Sequence, residues 1–405
     1  MIRSDSVDTA GRDRREGDLL NRPDREMRTW VPGILAGALI LGLVGIIYLY
    51  LVQTRSPAPR AGDCQFGGQL VPAAPQPGSD SPPGSDAGGL PMGELAPLST
   101  EHSWRFGFGL ANSADPGRWA LSLGAGWYLD WTAAGRSSDV QVEHWPMVRV
   151  APGCAWPTPK DAARLARAST GQTWIIGNEP DVVWQDDLSP EQYAEVYHAY
   201  YAAIKRADPS ARLAVAGVAQ PTPLRLAYLD RLLQAYERAY GHPMPVDVWT
   251  VHNFVLREER GSWGAEIPPD FEDVMAGRLY EVRDHARLDL FEAQLREFRS
   301  WMAQRGYRDR PLALTEFGIL MPPEYGFPPE AVADYLRGTS NLLMRLVDPA
   351  TGDPADGNRL VQRWAWFSLS DESFPGGDLA DLATGRLTEV GLAYRRSVEQ
   401  WGDGR

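Results

Sequence analysis

Between residues 101 and 405, short apolar segments alternate with amphipathic ones, and this alternation limits the possible folds more than any other feature. Eight segments have the length and composition of β-strands: 105–110, 126–131, 142–150, 173–180, 212–219, 246–254, 311–319 and 363–369. Helical periodicity is clear between the later strands: 158–169, 190–207, 224–240, 285–305 and 329–346. Such alternation predicts a parallel sheet with outer helices, and eight repeats in about 300 residues favour a closed (β/α)8 TIM barrel. An open doubly wound sheet is the alternative, but no glycine-rich phosphate loop follows the first strand.

The first hundred residues have a different character. Residues 30–52 are apolar without a single charge, and a run of about 20 such residues is long enough to cross a bilayer as a helix. Residues 1–29 are rich in charge and are predicted to form a cytoplasmic tail, while the Pro/Gly-rich residues 53–100 are predicted to be a disordered linker. Arginines are more numerous before the span than after it, which predicts a single-pass protein of the cell membrane whose domain at 101–405 is extracellular.

Composition excludes several classes of function. A net charge of -13 and a pI near 5.0 make nucleic acid an unsuitable partner. The two cysteines, Cys64 and Cys154, are too few for a disulfide scaffold or a thiolate metal cluster, and the sequence leaves open whether they pair. HExxH and GxSxG motifs are missing from the sequence, so neither a metalloprotease nor a serine hydrolase is indicated, and we expect no metal and no cofactor.

Two carboxylates directly follow apolar strands. Glu179 stands in the motif NEP at the end of the fourth predicted strand, and Glu316 stands in TEFG at the end of the seventh. A charged group after such apolar runs is costly unless it faces a polar cavity, and catalytic groups of barrel enzymes lie at these strand ends. Cleavage of a glycosidic bond requires two facing carboxylates, one protonated and one ionised. The alternative for each glutamate alone is a helix cap or a surface ion pair.

These motifs resemble clan A of the glycoside hydrolases, which are retaining (β/α)8 enzymes. Further segments, GWYLDW at 126–131, HWPMVRV at 144–150 and GNEPD at 177–181, are similar to the glycosyl hydrolase catalytic-core family, whose characterised members include β-1,3-glucanases. The resemblance implies that Glu179 is the acid/base, Glu316 the nucleophile and Asn178 the partner of the sugar 2-hydroxyl. It also implies that Trp366 forms the floor of the sugar subsite. Asp130 stands where the family more often has an amide.

Other positions are expected to support this site with less specific signals. His252 ends the sixth strand, and an imidazole beside the nucleophile fits the family pattern as well as a buried structural histidine does. Trp127, Trp131 and Trp184 are candidate sugar-stacking residues. Arg149 either holds the nucleophile ionised or pairs with a neighbouring carboxylate. We also expect the long, charged segment 255–284 to border the cleft.

The sequence thus predicts a membrane-anchored retaining glycoside hydrolase that cleaves a polysaccharide or oligosaccharide, with β-glucan favoured. A non-catalytic carbohydrate-binding surface protein is a second possibility, although such barrels usually lose one carboxylate. A transglycosylase that acts on envelope glycans would use the same residues. The sugar, the linkage and endo or exo action depend on loop shapes and are not specified by these motifs.

Overall fold

The computed structural model describes residues 95–402. Its strands, in chain order, are β1 Phe106–Gly109, β2 Trp127–Leu129, β3 Glu143–His144, β4 Met147–Ala151, β5 Cys154–Trp156, β6 Thr173–Ile176, β7 Arg212–Val215, β8 Trp249–His252, β9 Leu312–Phe317, β10 Arg363–Trp366, β11 Ala380–Asp381 and β12 Arg386–Leu387. Its α-helices are α1 Pro116–Leu123, α2 Pro159–Ala168, α3 Pro190–Ala207, α4 Pro223–Tyr240, α5 Leu288–Gln304, α6 Pro329–Arg345 and α7 Glu389–Gly402.

The parallel strands form a ring. One group runs in the order β3, β2, β1, β10, β9, β8, and a second group in the order β5, β4, β6, β7, in which β5 alone is antiparallel to its neighbour. The groups meet at a parallel bridge between Ala214 and Val248, and on the other side at a hydrogen bond from Met147 N–H, in β4, to the carbonyl of Thr132, just after β2. The predicted α/β fold with a parallel sheet and outer helices is therefore confirmed.

Proline and capping residues set the helix starts. Proline occupies the first turn of α2, α3, α4 and α6, where its missing N–H costs little. Ser189 caps α3 through a reciprocal capping box with Gln192, and Thr158 accepts the Asp161 N–H at the start of α2. These local signals explain why the helices begin within a few residues of the predicted positions.

Two connections depart from simple alternation. The segment after β1 forms the short helix α1, whereas residues 130–142, between β2 and β3, form bends and turns without a helix. The long segment 255–284 contains only a 3-10 turn at Val282–Asp284 and an isolated bridge between Glu259 and Ala276. Its predicted irregularity is thus confirmed.

The barrel encloses its own apolar core. Inward-facing side chains from the strands fill it: Trp127, Leu129, Trp145, Met147, Ile175, Ala214, Val248, Ala313 and Ala365. A larger cluster lies between the strands and the outer helices. The inner cluster closes the barrel below its mouth, so the carboxyl ends of the strands form the base of a cleft.

The predicted cytoplasmic tail, membrane span and nearly all of the linker, residues 1–94, lie outside the described residues. Within residues 95–402 no helix combines the length and the apolarity that a membrane crossing needs.

Candidate active site

Glu179 and Glu316 meet at the mouth of the barrel, as the strand pattern predicts. Glu179 follows β6 with a φ of 45°, and its N–H donates to the carbonyl of Gly217 at 3.1 Å. Glu316 lies within β9, and both glutamates are buried, with 8% and 7% of their surface exposed. One carboxylate oxygen of each, together with a ring nitrogen of His252, lie within 4.8 Å of one another.

His252 lies between the two carboxylates. Its Nδ1 is 2.7 Å from Oε1 of Glu179, and its Nε2 is 3.4 Å from Oε1 of Glu316. The ring fits only because residue 217 is glycine, since a Cβ there would lie 2.7 Å from His252 Cδ2. Of the two readings for this histidine, the geometry favours the one beside the nucleophile.

Burial and mutual charge change the pKa values of Glu316 and His252. Burial raises the pKa of Glu316 to about 7, and the charge of Glu179 adds to that rise, while His252 and an indole N–H oppose it. Burial alone would lower the pKa of His252, but its contacts with Glu316 and Glu179 outweigh that effect and raise it. Glu316 can therefore gain or lose its proton near neutral pH, beside an imidazole that can exchange protons with it.

Two aromatic rings line the cleft beside Glu316. Trp131 donates its indole N–H to Oε1 of Glu316 at 2.8 Å, which stabilises the ionised carboxylate. The ring of Phe367 meets Trp131 edge-on, with centroids 5.7 Å apart, and both residues are partly exposed. Trp131 is thus brought into the site, and Phe367 joins it.

A second set of polar groups holds the segment before Glu179. The carboxylate of Asp186 accepts the Asn178 N–H at 2.6 Å and Nε of Arg149 at 2.9 Å. The Asn178 amide nitrogen lies 3.5 Å from Oε1 of Gln185, whereas its buried Oδ1 has no partner within residues 95–402. A buried acceptor without a partner is costly, so Oδ1 is placed to receive a hydrogen bond from a bound ligand.

Arg149 follows the second of its two predicted roles. It forms an ion pair with Asp186. Of the groups that lower the pKa of Glu316, Arg149 has the smallest effect. Its side chain is 37% exposed, so it still faces the cleft at one edge.

Two predicted aromatic positions are corrected. Trp127 is fully buried in the inner barrel core and donates its N–H to the carbonyl of Arg105, so it presents no face to a sugar. Trp366 is also fully buried, because it points outward from β10 toward Phe317 and Tyr335. Alternation along the strand places Phe367, and not Trp366, on the cleft side.

Glu179, His252 and Glu316 are also residue types that bind metal ions. Each ring nitrogen of His252 faces a different glutamate, and this arrangement also suits proton transfer between the two carboxylates.

The segment 255–284 packs against the loop that follows Glu179. Ala265 lies in a small apolar cluster with Val182 and Ala219, and Trp184 packs on its edge. This contact supports the prediction that the segment borders the cleft. Trp184, a further candidate for stacking, is partly buried in that cluster.

Part of the sequence that builds this site also matches a known protein family. Residues 107–261 match the family described as glycosyl hydrolase catalytic core. The chain is a glycoside hydrolase. The matched segment contains Glu179 and His252, whereas Glu316 lies beyond it. No curated protein matches the sequence of this glycoside hydrolase.

Three solved structures similar to this glycoside hydrolase are each below 25% identical to it. A GH128 (subgroup II) endo-β-1,3-glucanase from Sorangium cellulosum has a TM-score of 0.51 at 18% identity, with 72% of this chain and 98% of that chain covered. A subgroup I endo-β-1,3-glucanase from Amycolatopsis mediterranei, crystallised with laminaritriose, has a TM-score of 0.48 at 21% identity, covering 72% and 99%. A curdlan-specific exo-β-1,3-glucanase from Blastomyces gilchristii has a TM-score of 0.48 at 20% identity, covering 73% and 98%. The first of these supports the fold.

Proposed function

We propose that this protein is a retaining glycoside hydrolase that cleaves a β-glucan by double displacement. The observation that carries the proposal is the spacing of the two buried carboxylates, which bring one oxygen each within 4.8 Å of the other. Retaining enzymes hold their carboxyl groups about 5–5.5 Å apart, whereas inverting enzymes leave about 6.5–9.5 Å for a water molecule.

The surroundings of each glutamate support its role. Trp131 donates to Glu316 and so favours its ionised form, which suits attack on the anomeric carbon. Glu179 shares a 2.7 Å hydrogen bond with His252, which holds its carboxyl group in place for proton transfer. The free Oδ1 of Asn178 is a ready acceptor for a sugar hydroxyl, in keeping with the 2-hydroxyl contact implied by the resemblance.

The reaction then proceeds in two balanced steps. A carboxylate oxygen of Glu316 forms a bond to the anomeric carbon while the bond to the leaving oxygen breaks, and Glu179 gives its proton to that oxygen. In the second step Glu179 takes a proton from water, the water oxygen bonds to the anomeric carbon, and Glu316 is released.

A β-1,3-linked glucan is the proposed substrate class. Family resemblance supports it, and the similar solved proteins are named as β-1,3-glucanases, one of them crystallised with laminaritriose and, as a mutant, with laminarihexaose. We also propose that residues 30–52 anchor the enzyme in the cell membrane with the barrel outside, on the strength of the charge-free apolar run and the arginines before it.

The first test compares the full-length protein with Glu316→Gln on laminarin, xylan, mannan and aryl glycosides, with reducing ends counted. We expect release from laminarin by the wild type and a loss of at least about 10³-fold in the variant, because the attacking carboxylate is gone. Glu324→Gln is the matched control, since Glu324 is exposed in the turn after the same strand. Products longer than the substrate would indicate glycosyl transfer, and silence from folded wild type on every glycan would contradict the proposal.

A further inference from the structure

Trp156 is the most exposed tryptophan of the described residues, at 52% exposure, and lies on a hairpin at the barrel mouth. Strand β5 folds back antiparallel onto β4 just beyond the barrel, so that Trp156 stands directly opposite Arg149. An exposed indole is normally covered by a partner or used to bind one, so its placement calls for an explanation.

The pleat of β4 determines which way Trp156 faces. Met147 points into the inner barrel core, and Arg149, two residues later, shares its side of the strand. Directly opposed residues of an antiparallel pair lie on the same face of a sheet. The side chain of Trp156 is therefore on the cleft side of the hairpin, on the same face as Arg149.

This face is continuous with the catalytic site. Arg149 donates to Asp186, and the same carboxylate accepts the Asn178 N–H. Trp156 is thus connected to Asn178, the residue before Glu179, through its cross-strand neighbour Arg149 and then through Asp186. Facing residues in such pairs have Cβ atoms about 5 Å apart, which is near the size of one sugar ring.

The hairpin is held firmly although its tip is exposed. The carbonyl of Pro157 accepts the Tyr200 hydroxyl at 2.5 Å, which fixes the end of β5 to helix α3. A platform fixed at this end loses less conformational entropy when a ligand binds than a free loop would.

We propose that Trp156 is a sugar-stacking residue that extends the binding cleft beyond the catalytic pair and favours long β-linked oligosaccharides. The apolar face of a pyranose ring lies on the indole, while Arg149 donates to its hydroxyl groups. This inference rests on the proposed function for the class of ligand. It adds a specificity residue on a hairpin that the catalytic step itself does not use.

The test measures how the preference for long substrates changes in full-length Trp156→Ala. The ratio of kcat/KM for laminarihexaose to that for laminaritriose is expected to fall about five- to tenfold, because a lost aromatic contact of about 1 kcal/mol or more acts only on the extra sugar units. Trp104→Ala is the matched control, since Trp104 is also exposed but precedes β1 at the opposite end of the barrel. Trp156→Tyr is expected to keep most of the ratio, and Trp156→Leu to lose it.

A ratio that stays at the wild-type value in Trp156→Ala and Trp156→Leu would overturn the inference. Binding separates this failure from that of the proposed function, because affinity for laminarihexaose can be titrated in the Glu316→Gln background without hydrolysis. A fivefold or larger rise in Kd on adding Trp156→Ala supports the platform even if the wild type cleaves nothing. An equal Kd with and without that change rejects the platform even if the enzyme is active.

Discussion

The two glutamates of the proposed catalytic pair differ in what surrounds them, and His252 lies between them. Glu316 is buried with an indole N–H on one oxygen, and burial raises its pKa to about 7. The imidazole opposes that rise, because a positive charge 3.4 Å away favours the carboxylate. The residue-scale consequence is that the protonation of Glu316 depends on His252.

The pH profile of kcat/KM should reveal this dependence. Glu316 must be ionised to attack, so activity is lost as pH falls through its pKa, and we expect an acidic limb with its midpoint near 7. In His252→Gln the pKa of Glu316 rises further, because the opposing charge has gone, and the limb moves to higher pH.

Another histidine provides the control for that shift. His198 lies on helix α3 and contacts Tyr236, away from both glutamates, so His198→Gln should leave the limb in place. A limb that moves to lower pH in His252→Gln, or does not move, would show that His252 does not favour the ionised form of Glu316.

Substrates with different leaving groups should distinguish the roles of the two glutamates. A Glu179→Gln variant lacks the proton donor, and we expect it to lose about 10²–10⁴-fold on laminari-oligosaccharides, because the departing alkoxide needs a proton. Dinitrophenolate departs without needing a proton, so the first step with dinitrophenyl glycosides should be nearly unaffected. Glu316→Gln should fail equally with both substrates, as measured by single-turnover release. A reversed pattern would exchange the two roles.

Residue patterns predicted part of this site and missed part of it. Glu179, Glu316, Asn178 and His252 end strands, and such positions converge at a barrel mouth whatever the loops do. Trp366 was misplaced because both tryptophans of β10 point outward, and its cleft-side neighbour Phe367 carries no motif of its own. The contact of Asp186 with the Asn178 N–H depends on the fold of a loop, which local sequence does not specify.

At the scale of elements, one buried arginine joins the two loops that border the site. Arg225, on helix α4, is fully buried and pairs with Asp181, two residues after Glu179, and with Glu258 at 3.0 Å. It also donates to the carbonyls of Ala265 and Glu266 at 2.6 and 3.0 Å. Arg225 therefore ties the segment 255–284 to the loop that follows Glu179, in addition to the apolar contact of Ala265 with Val182.

Removing that cation should destabilise the fold strongly. Arg225→Met leaves Asp181 and Glu258 buried without a counter-charge, and we expect a loss of about 3–5 kcal/mol in the free energy of unfolding, measured by denaturant titration. Arg238→Met, on the same helix, removes an exposed ion pair with Glu191 and should cost less than about 1 kcal/mol. Equal losses in the two variants would show that Arg225 stabilises the fold no more than an exposed arginine does.

The elements themselves were more predictable than their connections. Proline and a capping side chain mark the start of α2 and α3 in the sequence, and both helices begin there. The β4–β5 hairpin gave no comparable signal, because its turn at Pro152 and Gly153 interrupts an apolar segment that reads as the end of one strand. Trp156 could not be placed on the cleft side without the register of that hairpin.

At the scale of the whole molecule, the sequence divides into an apolar run, a Pro/Gly-rich stretch and the barrel. The proposed substrate is a glucan polymer, which does not cross a membrane, so the proposed reaction takes place outside the cell. The run at 30–52 has the length for one crossing, and about twenty apolar residues partition strongly into a bilayer. The arginines that precede it predict the orientation that would expose the cleft to the polymer.

Membrane fractionation tests this arrangement without reference to catalysis. We expect the full-length protein to stay with membranes after carbonate extraction, because a spanning helix, unlike a peripheral contact, is not released by high pH. Deleting residues 30–52 should move the protein to the soluble fraction with its hydrolytic activity intact, since the catalytic groups all lie within residues 95–402. Deleting residues 66–88, a linker segment of equal length, should leave it membrane-bound. Release of the full-length protein by carbonate would reject the spanning helix while leaving the assignment of the glutamates untouched.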